Sequence, residues 1–288
     1  MFHANLALIA GSMLSQVKTR IVVVEAANLS AVTATGEATL RTRAIARWLY
    51  RRADQIVAVS EGVARDLEQC LKLEAGRVRT IYNPVVTARL LASAEVACTH
   101  PWFAETDIPT LLSVGRLEPQ KDHATLLRAF AIVRRARPAR LVIFGEGSER
   151  QRLASLRYEL GLDADVDLPG IIDNPYAAMS RASLYVLSSR FEGLPNALIE
   201  ALACGCPAVS TECPDGPAEI LSSQSIGQLV PVAQPEALAA AIIASLDRRW
   251  DRKKIAGRGA EFSLERSLGQ YLTALDYPSP AVTLSSAA

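Results

Sequence analysis

Thr110-Leu-Leu-Ser-Val114, near the middle of the chain, begins a strand–helix–strand pattern that decides the fold. An amphipathic segment follows from Asp122 to Arg137, and a second apolar run, Arg140-Leu-Val-Ile-Phe144, comes directly after it. Short apolar runs of this kind are typical of buried strands, and the segment between them has the length and period of a helix. The stretch therefore predicts an α/β fold with a parallel sheet.

The same alternation continues on both sides of this stretch. Further strands are expected at Arg20–Glu25, Gln55–Val59, Val78–Tyr82, near Val166, at Leu184–Leu187 and at Ala208–Ser210. Two such series predict two Rossmann-like lobes whose parallel sheets are covered by helices on both faces. We expect a first lobe over residues 1–88, a linker over 89–108, a second lobe over 109–262, and a closing helix and tail over 263–288.

Composition excludes several classes of protein. The 31 Lys and Arg residues balance 30 Asp and Glu residues, so no overall basic field favours a nucleic-acid partner. The five cysteines are odd in number and scattered, which indicates a reducing compartment rather than a disulfide framework. No apolar segment approaches the roughly 20 residues that a membrane span needs. We therefore expect a cytoplasmic protein.

The loop after Thr110–Val114 carries groups suited to phosphate. Gly115 permits close backbone approach, Arg116 offers a planar fork for phosphate oxygens, and Lys121 adds a point charge at the start of a helix. A helix N-terminus adds positive potential of its own. The loop predicts a diphosphate site, with a solvated turn as the alternative interpretation.

The loop after Leu184–Leu187 carries two carboxylates, Glu192 and Glu200, with seven residues between them. Glu192 is placed to hold a sugar hydroxyl, and Glu200 is placed two turns along the next helix to accept hydrogen bonds from a ribose diol. The backbone amides of Gly193 and Leu194 precede that helix and could meet a phosphate. The two carboxylates alone are a weak signal, because chance could produce the same spacing.

Five motifs in one order make the signal much more specific. They are Ser113-Val-Gly-Arg-Leu117 with Lys121-Asp122, Phe144-Gly-Glu-Gly147, Leu168-Pro-Gly170, Glu192 to Glu200, and Cys213-Pro-Asp-Gly-Pro-Ala-Glu219. This run resembles the donor lobe of the family 4 retaining glycosyltransferases, which have the GT-B fold. The resemblance covers well over a third of the chain.

The resemblance implies a role for each matching residue. Arg116, Lys121 and Glu192 would be catalytic, the two cations on the donor diphosphate and the carboxylate on the donor sugar. Glu200 would bind the ribose, and Ile171 would lie beside the nucleobase. The further donor-binding positions would be Gly115, Gly145, Gly170, Gly193 and Leu194.

The same resemblance implies the reaction. A sugar would move from a nucleotide-sugar donor, most often UDP-linked, to a carbohydrate or lipid-linked glycan acceptor, with retention of configuration. The nucleotide-sugar is a substrate, and neither a cofactor nor an obligatory metal is implied. Cys204, Cys206 and Cys213 lack the spacing of a four-ligand site, so we expect no metal there either.

The first lobe matches the family only in part. Its matching segments are Arg20 to Ser30, Ala53 to Gly62 and Ile81 to Val85, whereas the family's opening strands and glycine-rich loop have no counterpart. Relatives often carry a histidine where this sequence has Glu25-Ala26-Ala27-Asn28. We therefore expect an N-terminally truncated lobe. Two alternatives stay open, a catalytically silent nucleotide-sugar-binding fragment and a nucleotide-sugar epimerase of the same fold.

An arginine-rich segment, Leu40 to Arg52, has two interpretations. It could contact anionic lipid or a lipid-linked diphosphate acceptor, which would place the protein peripherally at the inner face of a membrane. Alternatively it is an amphipathic helix with a solvated basic face. We favour the second interpretation, in which the core face consists of Leu40, Ile45, Trp48 and Leu49.

Overall fold

The computed structural model describes residues 2–15, 19–30, 40–104 and 107–277. Residues 278–288 of the expected closing helix and tail, and residues 105–106 of the expected linker, lie outside these ranges. The described strands form two sheets, and every pairing in both is parallel. The expected α/β class with two Rossmann-like lobes is confirmed.

The first lobe is built on a three-stranded sheet of order β1-β2-β3. Its elements are α1 (Phe2–Leu14), β1 (Val22–Glu25), α2 (Leu40–Tyr50), β2 (Gln55–Ala58), α3 (Glu61–Leu71) and β3 (Val78–Thr80). The next helix, α4 (Ala88–Glu95), begins at the expected linker and packs on the second lobe, where the Asn174 side-chain amide donates to the Ser93 carbonyl at 2.8 Å. Ser60 caps α3, as its sequence position predicts, because its hydroxyl accepts a hydrogen bond from the Val63 amide at 3.1 Å.

The second lobe is built on a six-stranded sheet. Its strands are β4 (Thr110–Val114), β5 (Arg140–Phe144), β6 (Val166–Gly170), β7 (Leu184–Leu187), β8 (Ala208–Thr211) and β9 (Gly227–Val230). Its helices are α5 (His123–Ala136), α6 (Arg150–Glu159), α7 (Tyr176–Met179), α8 (Asn196–Ala203), α9 (Pro217–Ile220), α10 (Pro235–Leu246), α11 (Arg252–Ala260) and α12 (Leu264–Ala274).

The order of the second sheet, β6-β5-β4-β7-β8-β9, reverses between β4 and β7. The chain goes outward from β4 in one direction, returns through α7, and goes outward from β7 in the other direction. The loops that follow these two central strands therefore diverge, and they leave a crevice at the carboxyl edge of the sheet. This crevice is the place where the two loops with unusual chemistry meet.

Four elements have no counterpart in the sequence prediction: α1, α9, β9 and α11. Helix α1 carries no Asp, Glu, Lys or Arg, so it lacks the polar face by which a surface helix is recognised. Strand β9 has only four residues, helix α9 is a single turn, and helix α11 contains two glycines, which lower helix propensity. In each case packing in the fold outweighs a weak local signal.

The face of α2 that packs on the core differs from the face that the sequence predicts. Ile45 and Trp48 are 56 % and 50 % exposed, so the expectation that they face the core was wrong. The residues that the helix does bury are Ala46, Leu49 and Tyr50. These residues are spaced three and four apart and form the stripe next to Ile45 and Trp48, which leaves that pair outside. The side chain of Leu40 lies outside the described part.

The end of the chain returns to the first lobe. In helix α12, the Ser267 hydroxyl donates to the Tyr82 carbonyl at 2.8 Å, and Ala274 packs on Val57 and Ile81 of the first sheet. Buried apolar residues also form one cluster that includes Ile56 of the first lobe and Leu198, Ile199 and other residues of the second. The two lobes therefore share a continuous apolar interior.

Candidate functional site

An ion pair joins the two central loops of the second sheet. The Lys121 ammonium, in the loop after β4, donates to the Glu192 carboxylate in the loop after β7, with Nζ 2.6 Å from Oε1. The Ser189 hydroxyl donates to the same carboxylate oxygen at 2.6 Å. Both charged side chains are largely shielded from water, which strengthens their attraction. The structure thus brings together two of the three predicted catalytic residues.

Further hydrogen bonds hold these loops together as one unit. The Arg190 amide donates to the Gln120 carbonyl at 2.8 Å, and the Gln120 side-chain amide donates to the Phe191 carbonyl at 2.9 Å. The Arg190 guanidinium also pairs with Asp122, the N-cap of α5, at 3.0 Å. This bracing fixes the positions of the charged groups before any ligand arrives.

A cleft of about 260 Å³ opens beside the ion pair. The residues that line it come from both lobes and are Ala26, Ala27, Asn28, Arg116, Gln120, Phe191, Glu192, Gly193 and Leu194. Arg116 is exposed at its wall, and Gly193 and Leu194 lead into the N-terminus of α8. The cleft therefore combines a guanidinium, a carboxylate and the positive end of a helix.

Glycines allow the segments that form the cleft to pack closely against one another. A Cβ atom at Gly193 would lie 2.1 Å from the Ala26 carbonyl oxygen of the first lobe, so only glycine fits there. A Cβ atom at Gly115 would lie 3.5 Å from the Lys121 side chain, which crosses directly over this glycine. Gly115 was expected to permit close approach to its backbone, and the group that lies against it is the Lys121 side chain.

Gly145, Gly170 and Ile171 lie at the next strand ends along the same sheet edge. Gly145 has a positive φ of 145°, its amide donates to the Gly170 carbonyl at 2.8 Å, and a Cβ atom on it would lie 1.9 Å from the Gly115 carbonyl oxygen. Ile171 is 78 % exposed. An apolar side chain presented to solvent at a strand end is suited to contact a flat ring.

Glu200 lies on α8 and is half-buried. Its carboxylate accepts a hydrogen bond from the Tyr176 hydroxyl, and burial raises its pKa above the ordinary value. Burial also raises the pKa of Tyr185, and the charges of Glu200 and Glu192 both add to this effect. Both carboxylates therefore lie close enough to Tyr185 to act on it, but Glu200 does not line the cleft that Arg116 and Glu192 share.

Sequence reasoning missed Ser189, Gln120 and Phe191 as parts of this site, and it noted the first-lobe segment 26–28 only as the place where relatives often carry a histidine. Ser189 and Phe191 stood within the loop that carries Glu192, but a serine or phenylalanine beside a glutamate has no distinctive spacing. The segment 26–28 follows β1, a strand end of the other sheet. Its position at a strand end was the available signal for a binding segment. That signal becomes informative only when the placement of one lobe on the other is known.

The described part of the chain holds neither a metal-binding cluster nor a membrane-spanning helix. No group of three or more His, Cys, Asp or Glu side chains there is arranged to hold a metal ion. None of the helices described above combines the length and the apolarity that crossing a bilayer requires.

Comparison with known structures shows the GT-B fold. Anabaena HepE, crystallised in complex with UDP, superposes with a TM-score of 0.80 at 18 % identity, over 96 % of this chain and 77 % of that one. The lipopolysaccharide outer core galactosyltransferase WaaB superposes with a TM-score of 0.70 at 19 % identity, over 96 % and 80 % of the two chains.

Comparison with curated sequences gives closer relatives. A Campylobacter jejuni enzyme is 36 % identical over 64 % of this chain and 48 % of its own length; its name is N-acetylgalactosamine-N,N'-diacetylbacillosaminyl-diphospho-undecaprenol 4-alpha-N-acetylgalactosaminyltransferase. The Rhizobium meliloti lipopolysaccharide core biosynthesis glycosyltransferase LpsE is 30 % identical over 78 % of this chain and 65 % of its own length. This chain thus spans about half to two thirds of these relatives.

Two family models match the sequence in chain order. The model named Glycosyltransferase Family 4 matches residues 28–89, in the first lobe. The model named Glycosyl transferases group 1 matches residues 101–262, which is more than half of the chain and includes both site loops. The chain belongs to the glycosyl transferases group 1 family.

Proposed function

We propose that the cleft beside the Lys121–Glu192 pair binds the diphosphate of a nucleotide-linked sugar, UDP-linked in the first instance. The observation that carries this proposal is the convergence of Arg116, Lys121 and the N-terminus of α8 at the point where the sheet order reverses. Arg116 and the helix N-terminus offer positive charge to a diphosphate, and Lys121, whose charge Glu192 compensates in the absence of ligand, adds further N–H donors. The UDP complex of HepE, which has the same fold, supports this choice of nucleotide.

The chemistry of the proposed transfer follows from these groups. When the bond between the sugar and the diphosphate breaks, negative charge develops on the departing phosphate oxygens. Arg116 and Lys121 would stabilise that charge by hydrogen bonds and Coulomb attraction in a site held rigid by its loops. Glu192, fixed by Lys121 and Ser189, would hold a hydroxyl of the donor sugar. In this proposal no metal ion is required, because the two cations supply the positive charge.

We also propose that the sugar is transferred with retention of configuration to a glycan or lipid-linked acceptor. The names of relatives support this proposal. The Campylobacter enzyme is named as a 4-alpha-transferase acting on a diphospho-undecaprenol-linked sugar, and a Bacillus subtilis relative as an alpha-glucosyltransferase. An α-linked product formed from an α-linked nucleotide-sugar retains its configuration, which the anomeric proton coupling in NMR spectra would reveal.

We also propose that the protein contacts the cytoplasmic face of a membrane, where it would meet a lipid-linked acceptor. Helix α2 exposes Ile45 and Trp48. The segment from Arg41 to Arg52 contains five arginines and no acidic residue. Cosedimentation with vesicles tests this contact. We expect binding to vesicles with anionic lipid, weaker binding for the pair Ile45→Ser and Trp48→Ser, and no binding to zwitterionic vesicles. Equal binding of wild type and variant would contradict the contact.

Calorimetric titration with UDP tests the nucleotide site. Wild-type protein should bind UDP, and Arg116→Ala should bind it at least about tenfold more weakly, because one charge-assisted contact is lost. Arg128→Ala is the matched control, since this exposed arginine lies on α5 outside the cleft. Absence of UDP binding by the wild type, or equal binding by Arg116→Ala, would contradict the proposal.

Turnover separates the transferase from its alternatives. Hydrolysis of UDP-sugars to UDP, or transfer to an acceptor, supports the enzyme. UDP binding with neither reaction supports the silent binding fragment. Interconversion of UDP-sugars without release of UDP supports the epimerase.

A further inference from the structure

We propose that Glu219 is a positioning residue of the transferase, which holds the first lobe across the donor cleft by capping helix α3. This inference rests on the proposed function for the role of the cleft. Glu219 belongs to the second lobe and stands in the short helix α9, outside the cleft. Its partners belong to the first lobe.

The contacts of Glu219 are close and directed. Its carboxylate accepts hydrogen bonds from the backbone amides of Glu61, with N 2.9 Å from Oε2, and of Gly62, with N 2.8 Å from Oε1. The Tyr82 hydroxyl donates to Oε2 at 3.1 Å. All three partners come from the first lobe, so one side chain makes three hydrogen bonds between the lobes.

These two amides have no acceptor within their own helix. The first amides of any α-helix point away from the helix and need an outside partner. The N-cap Ser60 satisfies only the Val63 amide. Glu61 and Gly62 are therefore satisfied by a carboxylate from the other lobe, placed at the positive end of the helix dipole.

A second contact connects this cap to the cleft. The Asp215 carboxylate, four residues before Glu219, lies against Gly62, where a Cβ atom would come within 1.9 Å of Oδ1. The same carboxylate accepts a hydrogen bond from the side-chain amide of Asn28. Asn28 lines the cleft. The segment that carries both acids thus holds the helix and the cleft wall of the first lobe at once.

The segment is firmly attached to its own lobe. The Arg258 guanidinium, on α11, donates to the carbonyl of Ile220 at 3.0 Å and to the carbonyl of Glu219. A rotation of the first lobe away from the second would therefore have to break the hydrogen bonds at Glu219 rather than drag α9 along. Loss of this carboxylate should let the lobes separate more often.

Separation should affect transfer and leave donor binding largely intact. Arg116, Lys121 and Glu192 all belong to the second lobe and do not depend on Glu219. The wall formed by residues 26–28, in contrast, reaches the cleft only while the lobes stay together. Glu219→Ala is thus expected to lower kcat about tenfold while the affinity for UDP changes less than twofold.

Hydrogen exchange gives a direct readout that requires neither donor nor activity. In Glu219→Ala, exchange at the amides of Glu61 and Gly62 should become about tenfold faster, since the carboxylate that accepts their hydrogen bonds is gone. Exchange at the strand amides of β2 should stay unchanged, which would show that the lobe remains folded. Glu212→Ala, which removes an exposed acid of the same segment, is the control and should leave all of these rates unchanged.

Gly62→Ala tests the neighbouring contact between α3 and Asp215. Alanine favours a helix over glycine, so α3 should not be weakened, but the new Cβ atom meets Asp215. Small-angle scattering should show a larger radius of gyration for Gly62→Ala and for Glu219→Ala than for wild type. Unchanged scattering together with unchanged exchange at Glu61 and Gly62 would overturn the proposal. A failed UDP titration of the wild type would instead overturn the proposed function, and the exchange result would stand.

Discussion

Lys121 and Glu192 are 71 positions apart in the sequence, and their side chains meet at 2.6 Å where the sheet order reverses. The pair links the loop after β4 with the loop after β7, the two loops that carry most of the predicted site. Because both groups are mostly buried, each one depends on the other for the compensation of its charge. The pair is therefore a structural element of the site as well as part of its proposed chemistry.

Lys121→Met should destabilise the protein by about 3 kcal/mol, because it leaves the Glu192 carboxylate buried without its cation. Adding Glu192→Gln to this variant should recover much of the loss, since no unpaired charge then remains. Urea denaturation at pH 7.5 measures both changes. Lys253→Met, at an exposed position of α11, is the control and should change stability by less than about 0.5 kcal/mol. A Lys121→Met variant as stable as this control would contradict the assigned role.

Gly145→Ala should destabilise the protein by about 3 kcal/mol and distort the Arg116 loop. The new Cβ atom would lie 1.9 Å from the Gly115 carbonyl oxygen, which is backbone and has little room to move, and φ at Gly145 is positive. Gly257→Ala is the matched control, because this glycine lies within α11 with nothing near its Cβ position. That change should stabilise the protein by about 1 kcal/mol. Thermal unfolding of the two variants should therefore shift in opposite directions.

His123 should make stability depend on pH. The ring is buried, and burial, followed by the charge of Lys121, lowers its pKa to about 4. The Arg116 carbonyl partly opposes this effect, although it makes no well-directed hydrogen bond with either ring nitrogen. The unfolded chain takes up a proton near pH 6.5 while the folded chain resists it, so stability falls as pH decreases from about 6.5 toward 4.

The expected loss from His123 over that range is about 3 kcal/mol. His123→Leu removes this titration, so the difference in unfolding free energy between wild type and variant should shrink or change sign as pH decreases. Urea denaturation at several pH values between 7.5 and 4.5 measures it. A difference that stays constant with pH would show that the ring is protonated equally in the folded and unfolded chains.

Glu200→Gln should increase stability at high pH and weaken nucleotide binding. Burial raises the pKa of Glu200, so its contribution to stability is present at low pH and is lost as pH rises through that raised pKa. Glutamine carries no charge and can still accept a hydrogen bond from Tyr176. The unfolding free energy of the variant relative to wild type should therefore increase between pH 4 and pH 8. Calorimetry with UDP should show weaker binding if Glu200 holds the ribose. Unchanged affinity would contradict that role.

The second lobe could be predicted well from sequence because its central strands are mostly apolar. Thr110–Val114, Arg140–Phe144 and Leu184–Leu187 are observed within the predicted bounds, since strands buried on both faces appear in the sequence as near-continuous apolar runs. Gly205 follows the end of helix α8 and has a positive φ of 73°. Glycine commonly adopts this conformation just after a helix C-terminus, so its position predicts the end of the helix. Local signals were strong wherever burial was complete.

The first lobe and the surroundings of the site were harder to predict because they depend on contacts between distant segments. The face of α2 was assigned wrongly because Ile45 and Ala46 are adjacent apolar positions, and sequence cannot tell which of the two points inward. Ala26 to Asn28 reach the cleft only through the placement of one lobe on the other. The motif Cys213 to Glu219 was noticed, but its contact with α3 was invisible without the fold.

The capping of α3 by Glu219 also affects the order in which the chain folds during synthesis. The ribosome adds Glu219 158 residues after Glu61. In a nascent first lobe, the amides of Glu61 and Gly62 are therefore exposed to water until Glu219 has emerged and the second lobe has docked. We thus expect the N-terminal boundary of α3 to reach its final form late, after synthesis has passed Glu219.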